Sequence, residues 1–172
     1  MGKTIIGVMG PGAGATEGDL AAAYELGRLV ASEGWVLLTG GRDAGVMDAA
    51  SRGAKEAGGL TVGILPTDDF AGVSNSVDIP VLTGMGQARN QINVLTSHVV
   101  IACGKGAGTA SEIALALKAR KKVILLRAGE EGEAFFKSLS AGDVFTAEDA
   151  REAFTIAKRV LDDQARRGDR NG

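Results

Sequence analysis

The sequence predicts a three-layer α/β/α domain around a doubly wound, mainly parallel sheet. Three observations carry that expectation. Short, continuously apolar runs alternate with stretches of helical periodicity along the chain. Glycine clusters stand where the apolar runs end, and glycine is abundant at 26 of 172 residues. That is roughly twice its average share, and it reads as tight turns and close backbone approaches.

Taken in order, Ile5 to Met9 reads as a first strand. Leu20, Tyr24, Gly27 and Val30 then recur at helical spacing. Trp35 to Leu38 is a second strand, followed by Gly40-Gly41. Val46, Ala49, Ala50, Gly53, Ala54 and Ala57 line one helical face, which Gly58-Gly59 closes. Thr61 to Leu65 is a third strand, stopped by Pro66. Asp78 to Leu82 contains Pro80, which confines it to an edge or a strand start. A helix is expected from about Gln87 to Ser97, then a strand from Val99 to Ala102. A helix from Thr109 to Ala119 and a strand from Val123 to Leu126 follow. The stretch 129–144 carries no readable pattern. A last helix spans Glu148 to about Gln164. With no linker and no repeat, residues 1–165 form one Rossmann-like domain, and 166–172 read as a flexible polar C-terminal tail.

The composition excludes several functions. A net charge of −2 argues against a general nucleic-acid binder, which carries excess Lys and Arg on one face. Cys103 is the one cysteine, so neither an internal disulfide nor a Cys-based zinc site can form. No apolar run reaches the roughly 18 residues of a membrane span. Met1-Gly2-Lys3-Thr4 leads straight into a strand-like run without a signal-peptide layout, and Ile6 stands where N-myristoylation needs Ser or Thr. A cytoplasmic protein without a membrane partner is expected.

In open parallel sheets ligands bind beyond the carboxyl ends of the strands. Four glycine loops should meet there: Gly10 to Gly14, Thr39 to Gly45, Thr83 to Gly86 with Arg89 beyond it, and Gly104 to Thr109. Missing side chains let a phosphate approach the backbone, and a following helix offers unpaired N–H groups and a partial positive charge. The candidate ligand contacts are Gly10, Gly12, Gly14, Gly40 and Gly41 from the first two loops. The other two contribute Gly84, Met85 and Arg89, then Gly104, Lys105, Gly106, Gly108, Thr109 and Glu112. The G-x-G-x-x-G dinucleotide fingerprint fails because the glycine after Gly14 is Gly18, and the Walker pattern is absent.

Several residues carry a plainer alternative. Thr109-x-x-Glu112 has the form of a capping box, in which the carboxylate only satisfies backbone donors. Arg89 reads either as a solvated cation or as an anion contact, and Lys105 either as solvated or as facing a phosphate. Ser111 reads as a hydroxyl of the first helical turn. His98 precedes its strand, at the sheet end opposite the glycine loops, and reads as structural. Cys103 reads as a buried thiol. No metal-binding set is apparent.

The blocks TGGRDAGVMDAASRGAKEAGG (39–59), TVGILP (61–66), TGMGQARN (83–90) and GKGAGTASEIALALK (104–118) together resemble the molybdenum-cofactor carrier proteins. More distantly, they resemble the Lonely Guy family of nucleoside 5′-monophosphate phosphoribohydrolases. The second resemblance aligns Gly106, Gly108, Thr109 and Glu112 with that family's phosphate loop and catalytic glutamate, and Arg89 with its assisting arginine. Gly104 and Lys105 replace the proline and first glycine of the loop, and Asn90 replaces a lysine. The carrier resemblance implies a phosphorylated ligand, with molybdenum cofactor as cargo. The hydrolase resemblance implies N-glycosidic cleavage with Arg89 and Glu112 as catalytic residues. Both imply a homodimer or homotetramer.

Overall fold

A computed structural model describes residues 2–140 and 142–168. The first half of the chain forms β1 (Ile5–Met9), α1 (Glu17–Ser32), β2 (Val36–Thr39), α2 (Gly45–Glu56), β3 (Thr61–Leu65) and β4 (Ile79–Leu82). A 3₁₀ turn (Gly86–Arg89) leads into α3 (Asn90–Thr96) and β5 (Val99–Cys103). The chain continues through α4 (Ala107–Lys118), β6 (Lys122–Leu126), α5 (Gly129–Leu139), β7 (Val144–Ala147) and α6 (Ala150–Gly168).

Among the described residues the sheet has the order β4-β3-β2-β1-β5-β6-β7, and every pairing is parallel. The chain winds outward from β1 in one direction and, after β4, outward from β5 in the other. The order therefore reverses between β1 and β5, where a doubly wound sheet opens a crevice beyond its strand ends.

Strand residues alternate between two cores, as the pleat requires. Val99, Ile101 and Cys103 join Ile6 and Val8 against α1, α2 and α6. Val100 and Ala102 face the other way, toward Val94 of α3, Ile113 of α4 and Phe136 of α5. This is the expected three-layer architecture.

Two local features fix how the layers meet. Thr16 caps α1 through a capping box: its hydroxyl accepts from the Asp19 amide at 3.2 Å, and Asp19 accepts from the Thr16 amide at 3.0 Å. The Arg127 Nε donates to the same Asp19 carboxylate at 2.8 Å, tying the end of β6 to the start of α1. On the first face, α1 and α2 cross in backbone contact. A Cβ on Gly27 would collide with the Ala50 carbonyl, and one on Gly53 with the Tyr24 carbonyl.

The sheet edge expected for the Pro80 segment is where β4 lies. The unread stretch 129–144 holds α5 and the first residue of β7. The last helix continues through Gly168, so residues 166–168 are helix rather than tail, and 169–172 lie outside the described residues. The three helices expected from Leu20, Thr109 and Glu148 begin instead at Glu17, Ala107 and Ala150. No described helix is long and apolar enough to cross a membrane.

Candidate functional site

Beyond the carboxyl ends of β1, β2 and β5 lies a cleft of about 360 Å³. It occupies the reversal point of the strand order. The loop after β1 contributes Gly10 and Gly12, and the loop after β2 contributes Gly40. Arg89 enters from the 3₁₀ turn, and Gly106, Gly108, Thr109 and Glu112 come from the start of α4.

The glycines serve two different purposes. Gly10 and Gly40 are packing glycines: a Cβ at Gly10 would meet Val46 and the Cys103 carbonyl, and one at Gly40 would meet Arg89 and Met47. Gly108 is different, because a Cβ there would meet no heavy atom within 4 Å. The space beside it is open.

The N-terminus of α4 faces this opening without a cap. Its N-cap is Gly106, and no side chain caps it. The first amides of a helix have no intrahelical acceptor and carry the positive end of the helix dipole. Thr109 is therefore the third helical residue, not the N-cap, and the capping-box reading of Thr109 and Glu112 is overturned. Glu112 instead accepts from Asn93 Nδ2 at 2.8 Å. Thr109 Oγ1 is buried without a hydrogen-bond partner.

Arg89 is buried, with 7% exposure, which removes the solvated-cation alternative. Its Nη1 donates to the Gly40 carbonyl at 2.9 Å and also to the Ile64 carbonyl. One guanidinium thus binds the ends of β2 and β3 to the turn before α3. Its Nε is buried and unpartnered. Burial lowers the guanidinium's pKa, while the nearby Glu112 charge raises it.

Burial pushes the Glu112 carboxyl from 4.5 to about 7, although the Asn93 hydrogen bond and the Arg89 charge both pull it down. Because the folded pKa is the higher one, protonation of Glu112 stabilises the fold fully below about 4.5. That contribution is lost as pH rises through about 7. Asp19, Asp78 and Asp143 have lowered pKa values and titrate below this window. The urea midpoint is therefore expected to fall between pH 5 and 8, and Glu112→Gln to flatten that slope.

Six of the candidate contacts are not brought to the cleft. Gly14 and Lys105 line a neighbouring open groove of about 760 Å³ with Arg127. Gly41 packs against Gly63, with φ +74°. Gly104 takes φ +82° where a Cβ would press on Asp19. Gly84 adopts φ +61° in its turn, and Met85 is exposed. Ser111 bonds back to the Gly108 carbonyl at 2.8 Å, as a first-turn hydroxyl does. His98 Nδ1 accepts from the Ile5 amide at 3.0 Å, at the opposite sheet end. Cys103 is buried, and burial pushes its thiol up to about 12.

The cleft also includes residues not singled out above: Pro11, Arg42, Met47 and Gln87. Arg42 directly follows the Gly40-Gly41 pair. A cation placed immediately after a strand-end glycine pair was the available signal.

Residues 3–154 match the SLOG cluster4 family. The molybdenum cofactor binding protein from the phototrophic bacterium Rippkaea orientalis is 55% identical. It superposes with a TM-score of 0.92 over 94% of this chain and 99% of that one. The chain belongs to the SLOG cluster4 family and to the molybdenum cofactor carrier proteins. The molybdenum cofactor carrier protein of Chlamydomonas reinhardtii is similar at 53% identity and a TM-score of 0.89, covering 93% of this chain and 99% of that one. A cytokinin riboside 5′-monophosphate phosphoribohydrolase of Mycobacterium tuberculosis is 32% identical over 98 residues, which is 55% of this chain and 51% of that enzyme. Both family resemblances drawn from the sequence are thereby matched.

Proposed function

We propose that the protein binds molybdenum cofactor, a phosphorylated pterin, in this cleft and carries it without turnover. The observation that supports this most is the uncapped start of α4, which faces open space at Gly108. A phosphate there accepts from the amides of Ala107, Gly108 and Thr109, as anions do at helix N-termini. The partnerless Thr109 Oγ1 adds a donor within the same turn. Gly10, Gly12 and Gly40 act as walls, and Met47 offers a polarizable surface to a flat heterocycle.

In this reading Arg89 is a positioning residue, since Nη1 is committed to two carbonyls. Glu112, held by Asn93 behind it, forms the floor beneath the ligand. The cytoplasmic location and the homodimer or homotetramer belong to the same reading. A groove of about 770 Å³, lined by Asn90, Ala114 and Leu115, adjoins the cleft, and we assign it to the second copy.

The test mixes purified protein with molybdenum cofactor and separates by size. Pterin fluorescence is expected to elute with the protein, and its absence there contradicts the reading.

One observation favours a second reading, cleavage of a nucleoside 5′-monophosphate. Arg89 and Glu112, the pair aligned with the hydrolase family, do line one cleft. Glu112 would then stabilise a cationic sugar transition state or activate water. Release of ribose 5-phosphate, lost in Glu112→Gln, would establish it.

A further inference from the structure

Glu112 is buried, with 7% exposure, and lines the same cleft as the uncapped start of α4. It is the one carboxylate among the lining residues. An ionised carboxylate repels a phosphate placed beside it, so the proton on Glu112 bears directly on anion binding.

The groups that face Glu112 come from five elements. The 3₁₀ turn brings Arg89, whose charge reaches Glu112. The Arg89 Nη1 is committed to the Gly40 and Ile64 carbonyls, and among the described residues no ion pair joins it to Glu112. α3 brings the uncharged Asn93. α4 itself brings Thr109, also uncharged, one turn earlier. The loop after β2 brings Arg42, and the loop after β1 brings Gly10 to Ala13, none of which titrates. With Glu112 ionised, two arginines and one carboxylate leave the cleft a single net positive charge. With Glu112 protonated the cleft carries two, which matches a phosphate dianion.

Asn93 suits the protonated form. It is fully buried, and its Nδ2 donates to Glu112 Oε1 at 2.8 Å. Its Oδ1 is buried without a hydrogen-bond partner, which is costly for an acceptor. A protonated carboxyl group has the complementary pair, one oxygen that accepts and one that donates. Burial already pushes this carboxyl up to about 7.

We propose that the cleft takes up a proton together with its anionic ligand, and that Glu112, paired with Asn93, holds that proton. The inference rests on the carrier reading and adds its regulation: acidification favours loading and alkalinity favours release. The proton comes from solvent and returns there when the ligand leaves, and no bond of the ligand changes. An arriving anion disfavours the ionised carboxylate and raises its pKa further. Above about pH 7 the free carboxyl is ionised while the bound one stays protonated. Affinity therefore falls as pH rises, by up to about tenfold per pH unit for one proton.

The experiment titrates molybdenum cofactor into the full chain by calorimetry at pH 8, in two buffers of different ionisation enthalpy. A phosphate monoester is already a dianion there, its second pKa being about 6. The difference between buffers counts the protons taken up per cofactor bound. Glu112→Gln keeps a donor and an acceptor for Asn93 without the charge, and its count removes whatever the cofactor itself releases. Wild type is expected to take up at least about 0.4 proton more than Glu112→Gln, and Glu112→Gln to bind at least as tightly. The Glu112 side-chain carboxyl ¹³C signal of the wild-type chain reports the same proton directly. Its titration midpoint should rise by at least about one pH unit when cofactor is bound. Equal proton counts in the two proteins, or a midpoint that stays or falls, overturns the proposal while leaving the carrier reading in place. If Glu112→Gln fails to bind, the carboxyl midpoint alone decides. Wild-type protein that binds no cofactor overturns the carrier reading and this inference with it.

Discussion

Gly108→Asp is expected to abolish cofactor retention while leaving the protein as stable as before. The added Cβ enters open space, with no heavy atom within 4 Å. The position lies in the first turn of α4, where a carboxylate complements the helix dipole by roughly 0.3–1 kcal/mol. Replacing glycine inside a helix also removes a backbone entropy cost of roughly 0.5–1 kcal/mol. The thermal midpoint should hold or rise. The new carboxylate, however, stands at the anion position and repels the phosphate. Losing the charge-assisted amide contacts, at roughly 1.5–3 kcal/mol each, weakens binding about a hundredfold or more. Gly108→Ala separates bulk from charge and should cost much less. If Gly108→Asp binds cofactor as well as the parent protein, the phosphate does not lie at this turn.

The second large effect is on stability and lies far from the cleft. Gly27→Val should destabilise the protein by at least about 3 kcal/mol, because the new side chain meets the Ala50 carbonyl of the facing helix. Backbone cannot move aside as a side chain does, so α1 and α2 must separate. That separation opens the core around Ala23, Leu26, Ala50 and Ala54, all fully buried or nearly so. For a chain of this size the thermal midpoint should drop by about 10 °C. Gly53→Val should act similarly through the Tyr24 carbonyl. Gly14→Ala is a contrasting case: the added methyl meets nothing within 4 Å, but φ is +89°, so its smaller cost is backbone strain alone. Denaturant unfolding of the three variants side by side checks the ranking.

How far the sequence showed this architecture depends on what each element is made of. Strands buried on both faces, such as Val99 to Cys103, declare themselves as unbroken apolar runs. Pro80 marked β4 as an edge, because proline cannot donate to a central ladder. The start of α1 was hidden because the helix begins on Glu17 and Gly18 under a polar cap at Thr16, three residues before its apolar face starts. α5 and β7 were unreadable for a different reason. α5 carries glycine at 129 and 132 and buries only Phe136, and β7 is a four-residue edge strand with one buried side chain. Tertiary pairing with β6, not local pattern, makes that strand.

The candidate cleft was legible where glycine itself is the device, as at Gly106 and Gly108. It stayed ambiguous where a motif has two meanings. Thr109-x-x-Glu112 fits a capping box only if the helix starts at Thr109, and α4 starts earlier, leaving its end open. Arg89 was placed at the ligand edge by sequence, but its burial and its two carbonyl partners depend on the convergence of β2 and β3, which are separated from it by many residues. Arg42 was passed over although it follows the Gly40-Gly41 pair, because only the sheet order, which sets its loop across β1 from α4, brings it to the cleft.

The most direct test of the anion site is an amide ¹H–¹⁵N correlation spectrum recorded while molybdenum cofactor is added to the full chain. The largest shifts are expected on Ala107, Gly108 and Thr109, with smaller ones at Gly12 and Gly40. Shifts confined to Arg127, Gly129 and the neighbouring groove, with the α4 amides unmoved, would contradict it.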